Sequence, residues 1–181
     1  MKKLMLSILT INLMITWANA QHYKTRNGNV QFEASVSGFE EVKAKTSSAS
    51  AIIDVKTGSV ASIVFINAFQ FKIALMQEHF NENYMESTTY PKATFNGKLE
   101  DFSISQLKNN NQLFVLIGDL TIHGVTQKIE INCRINKVDE EIIMKGSFLI
   151  APEDFKIDIP KLVMSKIAKE IQISFNYTLK P

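Results

Sequence analysis

The sequence predicts an all-β protein, an eight-stranded antiparallel β-barrel with a short helix at one mouth. Apolar and polar residues alternate along most of the chain, which is typical of antiparallel strands with one buried and one wetted face. Short turn signals separate these segments, so consecutive strands should form hairpins. An open sheet of eight strands exposes two edges, and closure into a barrel removes both. A β-sandwich of the same strands is the alternative architecture.

The composition fits one globular domain. The chain has 181 residues, of which 45% are hydrophobic and 21% are charged. These shares exclude a disordered chain, and a count of only 7 glycines and 4 prolines excludes a collagen-like one. The single cysteine, Cys133, can form neither an internal disulfide nor a cysteine-based zinc cluster.

Residues 1–20 have the pattern of a secretory signal peptide. Lys2 and Lys3 precede an apolar stretch, and Ala18-Asn19-Ala20 supplies small residues at the cleavage positions. We therefore expect cleavage after Ala20, a barrel domain over 21–181, and a periplasmic or secreted location. A membrane anchor is the alternative, but the apolar stretch is short for the roughly 20 residues that a span needs.

The charge balance argues against a nucleic-acid partner. Without Lys2 and Lys3, 18 of the 20 basic side chains remain, and they are matched by 18 acidic ones. Arginine occurs only at Arg26 and Arg134. Binding to a phosphate backbone needs a surplus of basic side chains on one face, and this chain has no such surplus.

The first half of the mature chain predicts three strands and then the helix. The strands are expected at 30–37, 45–55 and 60–67. Thr57-Gly58-Ser59 forms the turn between the second and third strands. Residues 71–83 then break the alternation. Apolar residues recur there at a weak helical spacing through Ile73, either Leu75 or Met76, and Phe80, which predicts a short helix across the barrel mouth.

Five strands follow the helix. They are expected at 93–100, 112–122, 126–138, 142–150 and 169–179. In the clearest of them, Ile129, Ile131 and Cys133 share one face, and the residues between them are polar. His123-Gly124 predicts a tight hairpin turn, because glycine accepts the positive φ that such turns require.

Four motifs resemble those of the YceI-like family. In chain order they are LMQEHFN at 75–81, YPKATF at 90–95, GDLTIHGVT at 118–126 and DFKI at 154–157. The resemblance extends over about residues 30–179, essentially the whole mature chain. It implies a lipocalin-like barrel with an extended internal cavity, export from the cell, and binding of a polyisoprenoid or a similar amphiphilic lipid.

Three positions depart from the usual pattern of that family. His123 lies where many members have arginine, and Lys156 lies where glycine is usual. The last strand follows 166–169, a Lys-Ile-Ala-Lys segment, instead of a Gly-Asp type of turn. These departures indicate a divergent subgroup.

The residue types that carry catalysis are poorly placed. His22, His79 and His123 show no metal-ligand spacing, and His22 is expected in a disordered N-terminal tail. Cys133 lies on an apolar face, where burial makes a thiol a poor nucleophile. Asp119, on a largely apolar strand, should face inward or cap the nearby hairpin. We expect no enzyme activity, no metal and no cofactor.

We expect instead an exported binder or carrier of a hydrophobic chain, of isoprenoid, quinone-like or fatty-acyl type. Alternation and the helix provide the candidate wall residues, which are Phe65, Met76, Phe80, Phe95, Leu99, Phe114, Leu116, Ile131, Phe148, Ile173 and Phe175. On the helix and just after it, His79, Asn81 and Tyr84 would meet the head group of the ligand.

Two other functions stay open on the sequence. A solid barrel would make the protein a structural or stress-related interaction protein. An enzyme acting on a barrel-bound lipid would need two converging polar side chains inside, and Asp119 is the only candidate. The expected partner is a hydrophobic small molecule or lipid, and we expect neither a nucleic-acid partner nor a stable membrane span. The sequence leaves open whether the protein forms a homodimer.

Overall fold

The computed structural model describes residues 22–181, and the predicted signal peptide lies outside the described residues. One antiparallel sheet dominates this part of the chain. Its strands are β1 (His22–Ser35), β2 (Lys43–Asp54), β3 (Ser59–Phe65), β4 (Gln70–Phe71), β5 (Lys92–Leu99), β6 (Gln112–Ile122), β7 (Val125–Val138), β8 (Glu141–Ile150) and β9 (Ile167–Leu179).

The sheet closes on itself into a barrel. Its order is β1-β9-β8-β7-β6-β5-β3-β2-β4, and β1 also pairs with β2. Eight long strands therefore form a continuous ring, and the two-residue β4 adds to β2 outside that ring. The predicted eight-stranded antiparallel barrel is confirmed. The β-sandwich is excluded, because β1 is hydrogen-bonded to a neighbour along both of its edges.

The connections divide the barrel into two ends. At one end, which we call the packed end, lie the turns 55–58, 100–111 and 139–140, together with the first residues of β1 and the last residues of β9. At the other end, which we call the mouth, lie the segments 36–42, 66–91 and 151–166, and the hairpin 123–124.

The predicted helix is present at the mouth. Helix α1 (Ala74–His79) continues directly into one π-helical turn, Phe80–Tyr84. The helical segment therefore begins and ends slightly later than the predicted 71–83. Short 3₁₀ turns occur at Ile66–Ala68, Ile104–Gln106, Pro152–Phe155 and Met164–Lys166.

The start of β1 was predicted wrongly. The strand begins at His22 and not at residue 30, and His22 pairs with Asp54, with 3.6 Å between Nε2 and Oδ2. His22 is thus part of the sheet and not of a disordered tail. The register shifts around Gly28, and a Cβ there would come within 2.5 Å of the Tyr177 ring. This irregularity, in a polar stretch, hides the alternation in the sequence.

The hairpin between β6 and β7 is confirmed as a two-residue turn. Ile122 pairs with Val125, and φ is 51° at His123 and 72° at Gly124. Positive φ at both central residues is the requirement of a type I′ turn, whose twist matches that of the strands it joins.

The packed end is filled by apolar side chains, most of them aliphatic. Ile53, Leu99, Cys133, Ile135, Ile142 and Leu179 are each less than 2% exposed. They come from β2, β5, β7, β8 and β9, so they close the barrel from opposite walls. Fully burying one such aliphatic side chain contributes about 1.5–3 kcal/mol to folding.

Candidate functional site

Inward-facing glycines shape the floor of the barrel interior. A Cβ on Gly97 or Gly118 would come within 2.6 Å of the Phe95 ring, and a Cβ on Gly146 would meet the Phe175 ring at the same distance. These rings can lie close to the wall only because the glycines have no side chain. Space therefore remains in the centre of the barrel above them.

An inner chamber of about 140 Å³ occupies this space. Its lining contains no charged side chain, and its polar groups are Ser62, Thr94 and the Tyr177 hydroxyl. The apolar part of the lining is formed by Val30, Phe32, Val60, Val64, Ile66, Phe69, Phe80, Met85, Ala93, Phe95, Leu116, Leu120, Ile122, Ile131, Met144, Phe148, Ile150, Ile157, Ile171, Ile173 and Phe175.

An outer chamber of about 240 Å³ adjoins it at the mouth. It too is mainly apolar, but Glu40, His79, Tyr84 and Lys166 contribute polar or charged groups. The rest of its lining is Phe32, Ala34, Phe39, Val42, Phe71, Met76, Phe80, Met85, Ile150, Pro152, Ile157, Ile159, Val163, Ile167 and Ile171. A molecule that enters from the mouth would meet charged and polar groups first and a mainly apolar, uncharged lining deeper inside.

A cluster of four phenylalanines lies between the two chambers. Phe32 and Phe80 line both chambers, and their rings stack with centroids 5.3 Å apart. Phe69 and Phe71 pack against Phe80 at 5.9 and 5.1 Å. Phe80 belongs to the π-helical turn and Phe32 to β1, so this cluster fastens the helical segment over the barrel. Such aromatic pairs contribute about 0.5–1.5 kcal/mol beyond the area they bury.

His123 ties three mouth segments together. Its Nδ1 lies 3.3 Å from the carbonyl oxygen of Phe155, and its Nε2 lies 3.3 Å from a carboxylate oxygen of Glu86. Its ring also packs on Tyr90, with centroids 4.3 Å apart. A carbonyl oxygen only accepts, so the contact with Phe155 requires a proton on Nδ1. His123 thereby links the β6–β7 hairpin to the segment after the helix and to the β8–β9 loop.

Ten of the fourteen sequence-predicted site residues line a chamber. Those at the inner chamber are Phe80, Phe95, Leu116, Ile131, Phe148, Ile173 and Phe175. Those at the outer chamber are Met76, His79, Tyr84 and again Phe80. The structure thus brings the predicted wall residues together in the interior, and it places two of the three predicted head-group residues at the mouth.

The other four predicted residues lie outside both linings. Phe65 is 50% exposed on the outer face of β3, so its predicted place in the wall is wrong. Leu99 faces inward but belongs to the packed end. Phe114 packs on Phe102 near that end, with centroids 5.5 Å apart. Asn81 follows α1, and its Oδ1 is buried with no hydrogen-bond partner within residues 22–181.

Several lining residues were missed by the sequence analysis. Phe32 follows Val30 at a spacing of two in the first predicted strand, so alternation alone could have found it. Phe69 and Phe71 show the same spacing but lie in a short segment between a 3₁₀ turn and the helix. Glu40 and Lys166 reach the mouth from loops, where no periodicity predicts direction.

Of the groups considered for catalysis, Asp119, Cys133 and His123 line neither chamber. Asp119 is exposed and paired across the sheet with Lys128, so the inward placement was wrong. Burial raises the pKa of the Cys133 thiol to about 12. Burial also raises the pKa of Tyr177, against the opposing effect of its hydrogen bond with Ser62. Over residues 22–181, no three His, Cys, Asp or Glu side chains form a group that could hold a metal ion.

No helix within the described part of the chain is long and apolar enough to cross a membrane. This finding concerns helices alone, and α1 with its π-helical turn is the longest helical segment found among those residues.

Solved structures share this fold. A polyisoprenoid binding domain from Saccharophagus degradans, implicated in plant cell wall breakdown, superposes with a TM-score of 0.75 at 15% identity, covering 88% of this chain and 98% of that one. BcnA of Burkholderia cenocepacia gives 0.70 at 16% identity, covering 85% and 96%. The YCEI protein of Campylobacter jejuni gives 0.59 at 20% identity, covering 79% and 88%.

The sequence comparisons agree with this likeness. No curated protein matches the chain significantly. The sequence does match the family described as the YceI-like domain over residues 20–179, which is nearly its whole length. The predicted resemblance is thereby confirmed, and the chain belongs to the YceI-like family.

Proposed function

We propose that this protein binds one hydrophobic chain inside its barrel and holds the polar end of that molecule at the mouth. The observation that carries the proposal is the pair of adjoining chambers, the inner one without a charged side chain and the outer one with four polar or charged groups. An apolar chain gains about 0.8 kcal/mol for each methylene group that it removes from water. The polyisoprenoid binding domain with the same fold supports this class of ligand.

The chamber volumes bear on the length of chain that fits. An apolar cavity of about 150 Å³ holds one benzene molecule, and the inner chamber measures about 140 Å³. It would therefore take the terminal unit of a chain, and the outer chamber would take the next part. We expect a short isoprenoid, a quinone-like molecule with a short tail or a fatty-acyl chain as the ligand. A chain that occupies both chambers would pass the Phe32–Phe80 pair that lies between them.

Binding is favoured over catalysis by the placement of the polar groups. In the inner chamber these are hydroxyls of Ser62, Thr94 and Tyr177, and burial raises the pKa of Tyr177. Hydroxyls without an adjacent base are weak nucleophiles. His79 and Glu40 line the outer chamber, where they would contact a head group more readily than the buried part of a chain.

Native mass spectrometry of the protein purified from an exporting host tests the proposal. We expect one added hydrophobic molecule per chain, released by solvent extraction. The variant Phe148→Trp places a larger ring in the inner chamber and should reduce this occupancy. The matched control is Leu113→Trp, because Leu113 is 67% exposed on the outside of β6.

The same variants allow a titration in solution. The chain contains one tryptophan, Trp17, which lies in the predicted signal peptide, so each variant adds the only tryptophan of the processed protein. An apolar quencher or the fluorescent probe N-phenyl-1-naphthylamine should still change the tryptophan emission of Phe148→Trp, at higher probe concentrations because the chamber is narrowed, and should leave that of Leu113→Trp unchanged. A bare protein mass, together with no response to added prenyl alcohols, quinones or fatty acids, would overturn the proposal.

Export completes the proposed function. The amino-terminal pattern of Lys2, Lys3 and Ala18-Asn19-Ala20 supports removal of residues 1–20 and a periplasmic or secreted protein. The mass of the protein recovered from the exporting host should correspond to a chain that begins at Gln21. A full-length mass in the membrane fraction would support the anchor instead.

A further inference from the structure

We propose that the tip of the β8–β9 loop docks the mouth of the barrel onto an anionic lipid surface. The tip comprises residues 159–166, with the sequence Ile-Pro-Lys-Leu-Val-Met-Ser-Lys. The inference rests on the proposed function, because a hydrophobic chain must leave or enter a lipid phase without crossing open water.

The first observation is the exposure of large apolar side chains at the tip. Leu162 is 87% exposed, the highest value among the exposed large hydrophobic residues of 22–181, and Met164 is 49% exposed. Neither side chain is needed to hold the loop together. The amides of Val163 and Met164 donate to the carbonyl oxygen of Pro160, and the amide of Lys166 donates to that of Val163. The backbone turn is thus formed without Leu162, whose exposed side chain contributes nothing to the core.

The second observation is the charge around these side chains. Lys161 and Lys166 flank Leu162 and Met164, the tip has no acidic residue, and neither lysine forms an ion pair with a described residue. Apolar side chains between unpaired lysines match the boundary between acyl chains and anionic head groups. The helical segment is unlike the tip, since Glu78 and Glu82 are exposed on it and would be repelled by such a surface.

The third observation is the position of the tip at the cavity. Val163, Lys166 and Ile167 line the outer chamber, while Leu162 and Met164, between or beside them, point to solvent. One short segment therefore carries both the rim of the chamber and the exposed apolar surface. Insertion of Leu162 into a lipid surface would bring the opening of the outer chamber to that surface.

Flotation with lipid vesicles tests the docking. The processed protein from the exporting host should float with vesicles of phosphatidylglycerol and bind much more weakly to vesicles of phosphatidylcholine. Leu162→Asp should weaken binding about ten- to hundredfold, as expected for the loss of one buried leucine. Lys161→Gln should weaken binding about fivefold and reduce its dependence on salt.

Leu113→Asp is the matched control, because it makes the same change at an exposed leucine near the packed end. It should leave flotation unchanged. Equal losses for Leu113→Asp and Leu162→Asp, or no flotation of the unmodified protein, would overturn the docking. A dimer in light scattering that Leu162→Asp disrupts would also overturn it, since a second copy would then cover the tip.

A separate readout distinguishes this inference from the proposed function. Leu162 and Lys161 line neither chamber, so both variants should still bind N-phenyl-1-naphthylamine in solution like the unmodified protein. Probe binding without flotation would remove the docking and leave the proposed function intact. Flotation without any probe binding would support a membrane contact and overturn the ligand-binding barrel.

Discussion

The packed end and the mouth of this barrel are built from the same strands, but their interiors are filled to different extents. At the packed end, aliphatic side chains such as Ile135 and Ile142 are completely buried. Toward the mouth, the rings of Phe32 and Phe80 separate two chambers. One end of the barrel is therefore filled by side chains, while the other encloses two chambers.

The side chains that point inward explain how one sheet produces both ends. Interiors are normally packed to the density of organic crystals, so a chamber persists only where the wall prevents collapse. Here Gly97, Gly118 and Gly146 allow aromatic rings to lie against the wall, and the helical segment covers the space above. The closed hydrogen-bonding of the eight long strands keeps the walls apart.

The largest expected effect is a difference in stability between two isoleucine-to-alanine variants. Ile142→Ala removes a fully buried side chain at the packed end and should lower the free energy of unfolding by about 2–5 kcal/mol. Ile171→Ala acts at the wall of both chambers, where the side chain already borders space and has fewer contacts to lose, so it should cost less than Ile142→Ala. Urea unfolding of both variants measures the difference.

Equal losses in that experiment would contradict the comparison, because they would mean that the mouth is packed in solution. If a bound chain contacts Ile171, solvent extraction should also change the stability cost of Ile171→Ala. The stability cost of Ile142→Ala should change less, because Ile142 lies away from the chambers.

The next effect concerns a glycine that shapes the inner chamber. Gly146→Ala would place a Cβ within 2.7 Å of two atoms of the Phe175 ring and 3.2 Å from Cγ2 of Ile131. The ring should then turn into the chamber, lowering the free energy of unfolding by about 1–3 kcal/mol and weakening probe binding. Thermal unfolding and N-phenyl-1-naphthylamine titration measure the two consequences.

A second substitution checks the cause of that effect. Phe175→Leu removes the ring that the new Cβ meets, so Gly146→Ala should cost much less in the Phe175→Leu background. The same cost in both backgrounds would show that the methyl group conflicts with the strand and not with the ring.

A loss of stability at alkaline pH should arise from the packed end. Burial raises the pKa of the Cys133 thiol from its ordinary 9.0 to about 12. Above pH 9 the unfolded chain loses this proton and the folded chain keeps it, so stability is complete below pH 9 and falls as the pH rises toward 12. The slope from one such thiol is about 1.4 kcal/mol per pH unit.

Urea unfolding between about pH 8 and pH 11 measures this slope, because the range starts below the ordinary thiol pKa and runs toward the raised one. Cys133→Ala should be less stable at neutral pH but should lose less stability with rising pH. Tyr177, whose pKa burial also raises, keeps its own contribution in both proteins. Identical slopes for the two proteins would place the thiol in contact with water and so contradict a solid packed end.

The sequence predicted which face of a strand a residue occupies better than it predicted where that residue lies along the barrel axis. A period of two placed Phe95, Phe148 and Phe175 on the inner face, because alternation follows directly from strand geometry. The same rule cannot say how far along the axis a residue lies, which is why Leu99 was assigned to the ligand wall although it belongs to the packed end.

Two kinds of local structure defeated the pattern. In β3, apolar residues occupy both faces: Val64 faces the interior, whereas Ile63 and Phe65 face outward. Alternation therefore gave no unique face for Phe65. Beyond α1 the chain forms a π-helical turn, which shifts the angular position of Asn81 relative to an α-helix. The mouth residues Glu40 and Lys166 depend on loop paths that only the folded chain defines.

The smallest expected effect is a loss of stability at acid pH, and it arises at the mouth end of β1. The Ser35 hydroxyl, which hydrogen-bonds Glu33, and Lys43, whose Nζ lies 3.1 Å from the Glu33 carboxylate, hold the pKa of Glu33 below its ordinary 4.5. This contribution to stability is present above pH 4.5 and is lost as the pH falls through the lower pKa of the folded state. Glu33 is about one-third exposed, so solvent screening limits the contribution to a few tenths of a kcal/mol.

Urea unfolding of Glu33→Gln from neutral to acid pH measures this effect and should show a slightly shallower loss of stability than the unmodified protein. Ser35→Ala should flatten the acid loss in the unmodified protein but should leave the pH dependence of Glu33→Gln unchanged, because the glutamine amide has no carboxyl proton to titrate. A further change in the acid loss caused by Ser35→Ala in that background would assign the acid sensitivity to a group other than Glu33.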